Sequence, residues 1–335
     1  MVLKDRTVAV FSTGGTIAMT TDPATGGVVP ALSADELLQA VPALAVNGIT
    51  LKVRDFRKLP GASLSFADLN ELSAAIAAEL KDGDLAGVVV TQGTDTIEET
   101  AFLLDLHHQH EQPIVVTGAM RNPTLVGADG PANLHAAVLA AAAPELRGAG
   151  CVVVLADEIH SARTVRKTHT TSTAAFASPG AGPVGRISEG RVSLTGLRPS
   201  RPALGLRAGD ATRTARIGLY TVTLGDDGTL LGAWGDSCDG LVVAAMGVGH
   251  VPAHLVAVLE DLARRMPVVL ASRIGNGPVL SCTYSFLGSE KDLLGRGLIS
   301  AGGLGPYQAR ILLHTLMSQG RDQDAVRTAF ENAAG

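Results

Sequence analysis

The stretch Thr7-Val8-Ala9-Val10-Phe11-Ser12-Thr13-Gly14-Gly15-Thr16-Ile17-Ala18 sets the reading of the chain. Its first half is apolar and valine-rich with almost no polar alternation, the pattern of a strand covered on both faces in a parallel sheet. Two glycines follow at once, so the backbone can turn sharply and leave its N–H groups facing a ligand. The turn reads in two ways. It can be a structural or phosphate-binding turn, although its spacing matches neither the dinucleotide fingerprint nor the Walker loop. Alternatively, the Thr16 hydroxyl is a nucleophile with backbone N–H donors beside it.

The same pattern recurs outward from this stretch. Strands are predicted at 49–56, 87–91, 113–118 and 151–156. Between them lie helical patterns with readable starts. Ser33 precedes Glu36 by three residues, a capping box before Leu37 and Leu38. Ser65 precedes Leu69, Leu72, Ile76 and Leu80 at helical spacing, and Pro131 suits the first turn of a helix through Leu134 and Val138. Strands alternating with helices predict an open α/β sheet, whose ligands bind beyond the carboxyl ends of the strands. Glycine and proline punctuate 178–214, with a hairpin-like piece at 191–194, after which strands at 217–222, 240–245 and 267–272 alternate with helices at 252–265, 306–318 and 322–334. The predicted organisation is an N-terminal α/β catalytic domain (1–194), a connector (195–213) and a C-terminal α/β domain (214–335).

Composition narrows the function classes. The chain has 335 residues, 46% hydrophobic and 18% charged, with a net charge of −5, which suits two packed domains and argues against disorder. No long basic run supports a nucleic-acid groove or a membrane-surface patch. No apolar run is long enough to span a bilayer, and the N-terminus does not read as a secretory signal. Cys151, Cys238 and Cys282 are odd in number and widely spaced, which fits reduced thiols in a cytoplasm. His107, His108 and His110 end a helix, where the dipole favours them, and no metal site is read there.

A second chemical segment is Thr91-Gln92-Gly93-Thr94-Asp95-Thr96-Ile97-Glu98-Glu99-Thr100, after the strand at 87–91. Asp95 or Thr96 can serve simply as a helix N-cap. A buried Thr94-Asp95 pair there also offers a hydroxyl for proton transfer and a carboxylate for a substrate ammonium.

Together, Thr-Gly-Gly-Thr-Ile-Ala and Gly-Thr-Asp-Thr-Ile-Glu-Glu-Thr closely resemble the bacterial-type L-asparaginase/glutaminase family. The likeness runs through Thr117-Gly118-Ala119-Met120-Arg121, Ala128-Asp129-Gly130-Pro131-Ala132-Asn133-Leu134, Asp157-Glu158-Ile159-His160 and Val165-Arg166-Lys167-Thr168-His169-Thr170-Thr171. It continues more weakly to Ala309-Arg310, so it covers almost the whole chain. The resemblance implies a two-domain asparaginase-like fold with a larger, Rossmann-like N-terminal parallel-sheet domain and a smaller C-terminal α/β domain. It implies hydrolysis of L-asparagine to L-aspartate and ammonia, possible minor glutaminase activity, no cofactor, and a homotetramer of intimate dimers.

Residue by residue, Thr16 matches the family's acyl-accepting threonine, and Thr94, Asp95 and Lys167 match its Thr-Asp-Lys set. An ammonium at Lys167 bonded to Thr94 favours hydroxyl deprotonation, and Asp95 balances its charge and holds the substrate α-amino group. Ala119 matches a position whose backbone N–H forms part of the oxyanion hole. Ser63 matches the region that binds the α-carboxylate, or is only a loop or cap residue. Counted back from Gly297-Leu298, Glu290 matches the acid a neighbouring subunit contributes.

Two departures stand out. The loop from Thr20 to Pro30 lacks the tyrosine that family members carry near the nucleophile. Tyr284 of a neighbouring subunit, a water, Thr20 or Thr21 are the candidate replacements, and a catalytically weak or silent amino-acid-binding homologue is the alternative reading. His250 stands where an asparagine is common, either altering the choice between asparagine and glutamine or serving as an ordinary loop histidine.

Overall fold

The computed structural model describes residues 6–15, 19–21, 28–30, 48–81, 84–196, 204–235 and 237–333. Thr16, most of the loop from Thr20 to Pro30 and the helix start at Ser33 lie outside the described residues. The chain divides into two compact units, Met1–Arg201 and Pro202–Gly335.

In the first unit, β1 (Arg6–Ser12), β4 (Ile49–Asp55), β5 (Leu85–Thr91), β6 (Ile114–Thr117), β7 (Cys151–Leu155), β8 (Glu158–Ser161), β11 (Gly185–Ser188) and β12 (Arg191–Leu194) form one sheet. Its order is β12-β11-β8-β7-β6-β5-β1-β4. The five strands from β4 to β7 are parallel, and β8, β11 and β12 add an antiparallel edge. Two short antiparallel pairs stand apart from it: β2 (Met19–Thr21) with β3 (Val28–Pro30), and β9 (Arg166–Lys167) with β10 (Phe176–Ala177).

Burial explains the missing alternation. Val8 and Val10 point to one face, where α3 (Gly130–Ala142) presents Leu134, Ala137 and Val138. Ala9 and Phe11 point to the other, against Leu72 and Ile76 of α1 (Phe66–Lys81) and Leu104 of α2 (Ile97–His107). Each such valine or leucine removed from water contributes about 1.5–3 kcal/mol, so a strand covered twice has no polar positions to give away. Close approach is built in at Gly87: a Cβ there would lie 2.2 Å from the Ala141 carbonyl oxygen on α3. Strand β4 differs from the expectation. It is the sheet edge, and Thr50, Arg54 and Asp55 are exposed, so Ile49-Thr50-Leu51-Lys52-Val53-Arg54 does alternate.

Helix α1 starts as read. Ser65 accepts from the Asp68 N–H at 3.2 Å while Asp68 accepts from the Ser65 N–H at 3.0 Å, a reciprocal cap with aspartate in the third position. Pro131 sits in the first turn of α3. The hairpin-like piece at 191–194 is β12, which belongs to the main sheet's antiparallel edge rather than to a separate segment. The β7–β8 connection is a tight turn in which Ala156 and Asp157 both have positive φ, 49° and 60°, as the twist of a two-residue hairpin requires.

The second unit is a four-stranded parallel sheet of β13 (Ile217–Thr221), β14 (Gly240–Ala245), β15 (Val268–Ser272) and β16 (Ile299–Ser300), in that order. Around it lie α4 (Thr229–Gly235), α5 (Val256–Arg265), α6 (Glu290–Gly295), α7 (Pro306–Ser318) and α8 (Gln323–Ala333). The short elements α4, α6 and β16 are not read from the sequence, because neither a helix of one or two turns nor a two-residue strand carries an apolar period. Helix α5 begins four residues later than read, after a 3-10 turn at Ala253–Leu255. Among the described residues no helix is long and apolar enough to cross a membrane.

Candidate active site

Three turns at the carboxyl ends of β1, β5 and β6 meet through backbone contacts. Gly14 and Gly15 follow β1 with φ of 100° and 85°. A Cβ on Gly15 would lie 2.1 Å from the Gly93 nitrogen, and one on Gly14 would lie 2.7 Å from the Leu59 carbonyl oxygen. Gly93 in turn abuts Gly61, where a Cβ would lie 2.6 Å from the Gly93 carbonyl. Only chains without side chains can come this close. The Thr13 N–H and hydroxyl both donate to the Thr91 carbonyl, each at 3.0 Å, which ties the glycine turn to the end of β5. Thr16 begins one residue past this anchored turn.

The segment after β5 does not cap its helix through side chains. Neither Thr96 nor Gly93 makes a side-chain capping bond. Thr96 instead donates its hydroxyl to the Gly61 carbonyl at 2.9 Å and accepts from Gln92 at 3.0 Å. This frees Thr94 and Asp95 for another partner. Lys167, carried in by β9, donates from Nζ to Thr94 Oγ1 at 3.0 Å and to Asp95 Oδ1 at 2.9 Å. Thr94 is 6% exposed, the Lys167 side chain 18% and that of Asp95 64%, so the triplet grades from a buried hydroxyl to an open carboxylate.

Ala119, 1% exposed, lies in the turn after β6. A Cβ on its neighbour Gly118 would lie 3.2 Å from the Thr94 methyl, so this turn packs directly on the Thr94 side chain. The sequence reading missed the two residues that hold it. Asp129 accepts from the Met120 and Arg121 N–H groups at 3.0 and 2.8 Å, and Asn133 donates to the Gly118 carbonyl at 2.9 Å. Both belong to the quoted Ala-Asp-Gly-Pro-Ala-Asn motif, which was therefore a signal already in hand. Ser63 is exposed, in the 3-10 turn that starts at Gly61.

Glu98, two residues into α2, is also buried, and its pKa is pushed up to about 7 by burial, against the pull of the Arg166 guanidinium. Nothing in the sequence distinguished it from a solvated helix residue. His108 meets the Gln112 carbonyl at 2.7 Å, and among the described residues no group of three His, Cys, Asp or Glu side chains is placed to hold a metal ion. A separate cavity of about 390 Å3 near the β7–β8 turn is lined by Glu158, Phe176 and Arg186 but by none of Thr94, Asp95 and Lys167.

In the second unit, Glu290 is fully buried at the start of α6. Its carboxylate accepts from the Thr283 and Tyr284 N–H groups at 3.1 and 2.8 Å and meets His250 Nε2 at 3.1 Å. Burial alone would raise its pKa, but these N–H partners hold it below the ordinary value. The His250 ring sits edge-on to Tyr284 at 4.9 Å and to Phe286 at 5.0 Å. Tyr284 is 43% exposed.

Residues 7–198 match the family description "Asparaginase, N-terminal" and residues 216–330 match "Glutaminase/Asparaginase C-terminal domain". The chain belongs to the asparaginase family. Asparaginase relatives align along nearly all of it. It is 35% identical over 324 residues to a "Probable L-asparaginase" of Deinococcus radiodurans, covering 96% of each chain. It is 32% identical to a "Probable L-asparaginase periplasmic" of Haemophilus influenzae, covering 97% of this chain and 92% of that one. The crystal structure of a "Probable Cytoplasmic L-asparaginase" from Campylobacter jejuni superposes with a TM-score of 0.86 at 30% identity, over 97% of this chain and 99% of that one. The two-part α/β architecture of this asparaginase-family chain is thus the family's own.

Proposed function

We propose that this chain hydrolyses L-asparagine to L-aspartate and ammonia through a threonine-bound acyl-enzyme. The observation that carries the reading is the Lys167 ammonium, 3.0 Å from Thr94 Oγ1 and 2.9 Å from Asp95 Oδ1, beside the glycine turn that leads to Thr16. A cation on a buried hydroxyl stabilises its deprotonated form, so Thr94 can take up a proton in the reaction.

Thr16 Oγ attacks the side-chain amide carbon, and its proton goes to the leaving nitrogen. The carbon–nitrogen bond breaks, ammonia departs, and an ester to Thr16 remains. Water then attacks the ester, aspartate leaves, and the hydroxyl of Thr16 regains its proton. The Ala119 N–H faces the developing oxyanion, Asp95 holds the α-amino group, and Ser63 receives the α-carboxylate. No cofactor enters. Glu290 and His250 complete the substrate end of a neighbouring subunit's site in a homotetramer, and Tyr284 is the phenol offered in place of the missing loop tyrosine. The free thiols Cys151, Cys238 and Cys282 support a cytoplasmic setting.

Ammonia release from L-asparagine, L-glutamine and D-asparagine tests this. Wild type is expected to favour L-asparagine, with Thr16→Ala and Lys167→Met each about 1,000-fold slower or more. Silence on all three amides would leave an amino-acid-binding homologue, and turnover retained in Thr16→Ala would remove the nucleophile. Full turnover in Tyr284→Phe would remove the phenol.

A further inference from the structure

Ala119 sits between two peptide planes, and side chains from one short segment hold both. The Gly118 carbonyl and the Ala119 N–H are opposite ends of one planar, trans unit, so whatever fixes the carbonyl fixes the direction of the N–H. Asn133 Nδ2 donates to that carbonyl at 2.9 Å. The next plane ends in the Met120 N–H, which Asp129 Oδ2 accepts at 3.0 Å, while Asp129 Oδ1 accepts the Arg121 N–H at 2.8 Å.

Asn133 is 3% exposed, in the first turn of α3, and its amide is used at both ends. Nδ2 also donates to Asp129 Oδ2 at 3.1 Å, and Oδ1 accepts from the Ala156 N–H, in the β7–β8 turn, at 3.0 Å. A carbonyl on one side and an N–H on the other leave the amide one orientation. A Cβ on Gly118 would lie 2.5 Å from the Gln92 carbonyl oxygen, so the same plane is packed against the end of β5.

We propose that Asn133, with Asp129, is a positioning pair for the reaction: by holding the Gly118 carbonyl, Asn133 aims the Ala119 N–H at the substrate oxygen. A hydrogen bond to one end of a peptide unit also polarises the other, which strengthens that donor. The inference rests on the reading of Ala119 as an oxyanion donor. It gives the buried amide its effect in the transition state, where charge develops on that oxygen, rather than in substrate binding.

Asn133→Asp keeps the shape and makes the bond to Gly118 depend on a proton. Protonated, the new carboxyl still donates to the carbonyl. Ionised, it sets an anion against that carbonyl and against Asp129, whose charge raises the pH at which the proton leaves. Other charges near position 133 are Asp157 beside Ala156, Glu158 paired with Arg186, His135 on α3, and Arg121, whose guanidinium donates to the Gly127 carbonyl at 3.2 Å. Of the strands packed on α3, β5, β6 and β7 carry no charged residue. Strand β1 brings Arg6, bonded to the Ala142 carbonyl at the far end of the helix, and the edge strand β12 brings Arg191.

The test is kcat and KM for L-asparagine between about pH 5 and 9 in wild type, Asn133→Asp and Asp129→Asn, with circular dichroism reporting the fold at each pH. Asn133→Asp is expected within about threefold of wild-type kcat at the acid end and about tenfold or more below it at the alkaline end, with KM nearly unmoved. Wild-type kcat throughout overturns the proposal. So does a deficit of the same size at every pH, which is what a general loss of packing gives. Asp129→Asn carries the test if Asn133→Asp unfolds at alkaline pH. Its amide keeps one acceptor oxygen for two N–H groups, so kcat should fall by about three- to tenfold with KM nearly unmoved, and a loss confined to KM, or none, overturns the proposal. A wild type silent on L-asparagine would sink the reading of the site and this inference with it. An active wild type that Asn133→Asp tracks at every pH would sink only the role of Asn133.

Discussion

Two ionic arrangements in this chain, one open at its carboxylate and one buried, solve opposite problems. Around Lys167 a cation from β9 meets a hydroxyl, and the turn that carries this hydroxyl is locked by glycine-to-glycine backbone contact. Around Glu290 an anion is fixed inside the second unit by backbone N–H groups, with a histidine at its outer side. The first arrangement depends on the approach of main chains, the second on the saturation of one carboxylate. This difference makes them fail differently.

The largest effect is expected at the backbone contact. Gly15→Ala places a Cβ 2.1 Å from the Gly93 nitrogen at a φ of 85°, so both turns must shift. A loss of about 3 kcal/mol or more in unfolding free energy is expected, with loss of ammonia release. A denaturant titration that leaves Gly15→Ala as stable as wild type would show that the turns are not locked.

Glu290→Ala tests the second arrangement. It leaves the Thr283 and Tyr284 N–H groups without their acceptor, which is expected to cost about 2 kcal/mol. A smaller loss in Glu290→Gln, whose amide oxygen keeps an acceptor, would sharpen the assignment to those two donors. Equal losses in both variants would assign the cost to charge instead.

The smallest effect has the opposite sign and belongs to Glu98. An unfolded glutamate gives up its proton near 4.5, whereas the folded protein keeps the proton on Glu98 up to about 7. Between those values the folded state binds more protons, so its stability falls as pH rises through the window and is level above it. Linkage sets a ceiling of about 3 kcal/mol on the loss. Glu98→Gln removes the slope, at the cost of an unmet amide N–H. A gain of about 1 kcal/mol over wild type above the window, vanishing below it, is expected in thermal unfolding followed against pH. A variant that tracks wild type at every pH would show that the carboxylate is not paying for its burial.

Much of the first arrangement was legible in the sequence because its signals are local. Glycines before Thr16, a Thr-Asp pair after a valine-rich strand and a serine cap before α1 each sit within a few residues of what they control. The partners of Asp129 and Asn133 were not legible, since each reaches a backbone N–H or carbonyl, and backbone groups leave no mark in a sequence. Glu98 is also written like any exposed helix acid, and only packing buries it. The short α4, α6 and β16 were missed for a related reason: a helix of fewer than two turns or a two-residue strand cannot show a period. The second arrangement was legible only through resemblance, because Glu290 and His250 lie 40 residues apart with no motif between them.

By itself, then, the sequence determined that the chain alternates strands and helices and that its first strand ends in a glycine turn, facts that depend on residue type and short spacing. Its resemblance to the family named the candidate hydroxyls, carboxylate and amine. Tertiary structure alone decided that Thr96 bonds Gly61 rather than capping its helix, that Lys167 reaches back across 73 residues to Thr94, and that Glu98 is buried. Distance and desolvation are properties of the packed chain, and they turn a list of polar residues into a hydroxyl, a cation and a buried charge that act on one another.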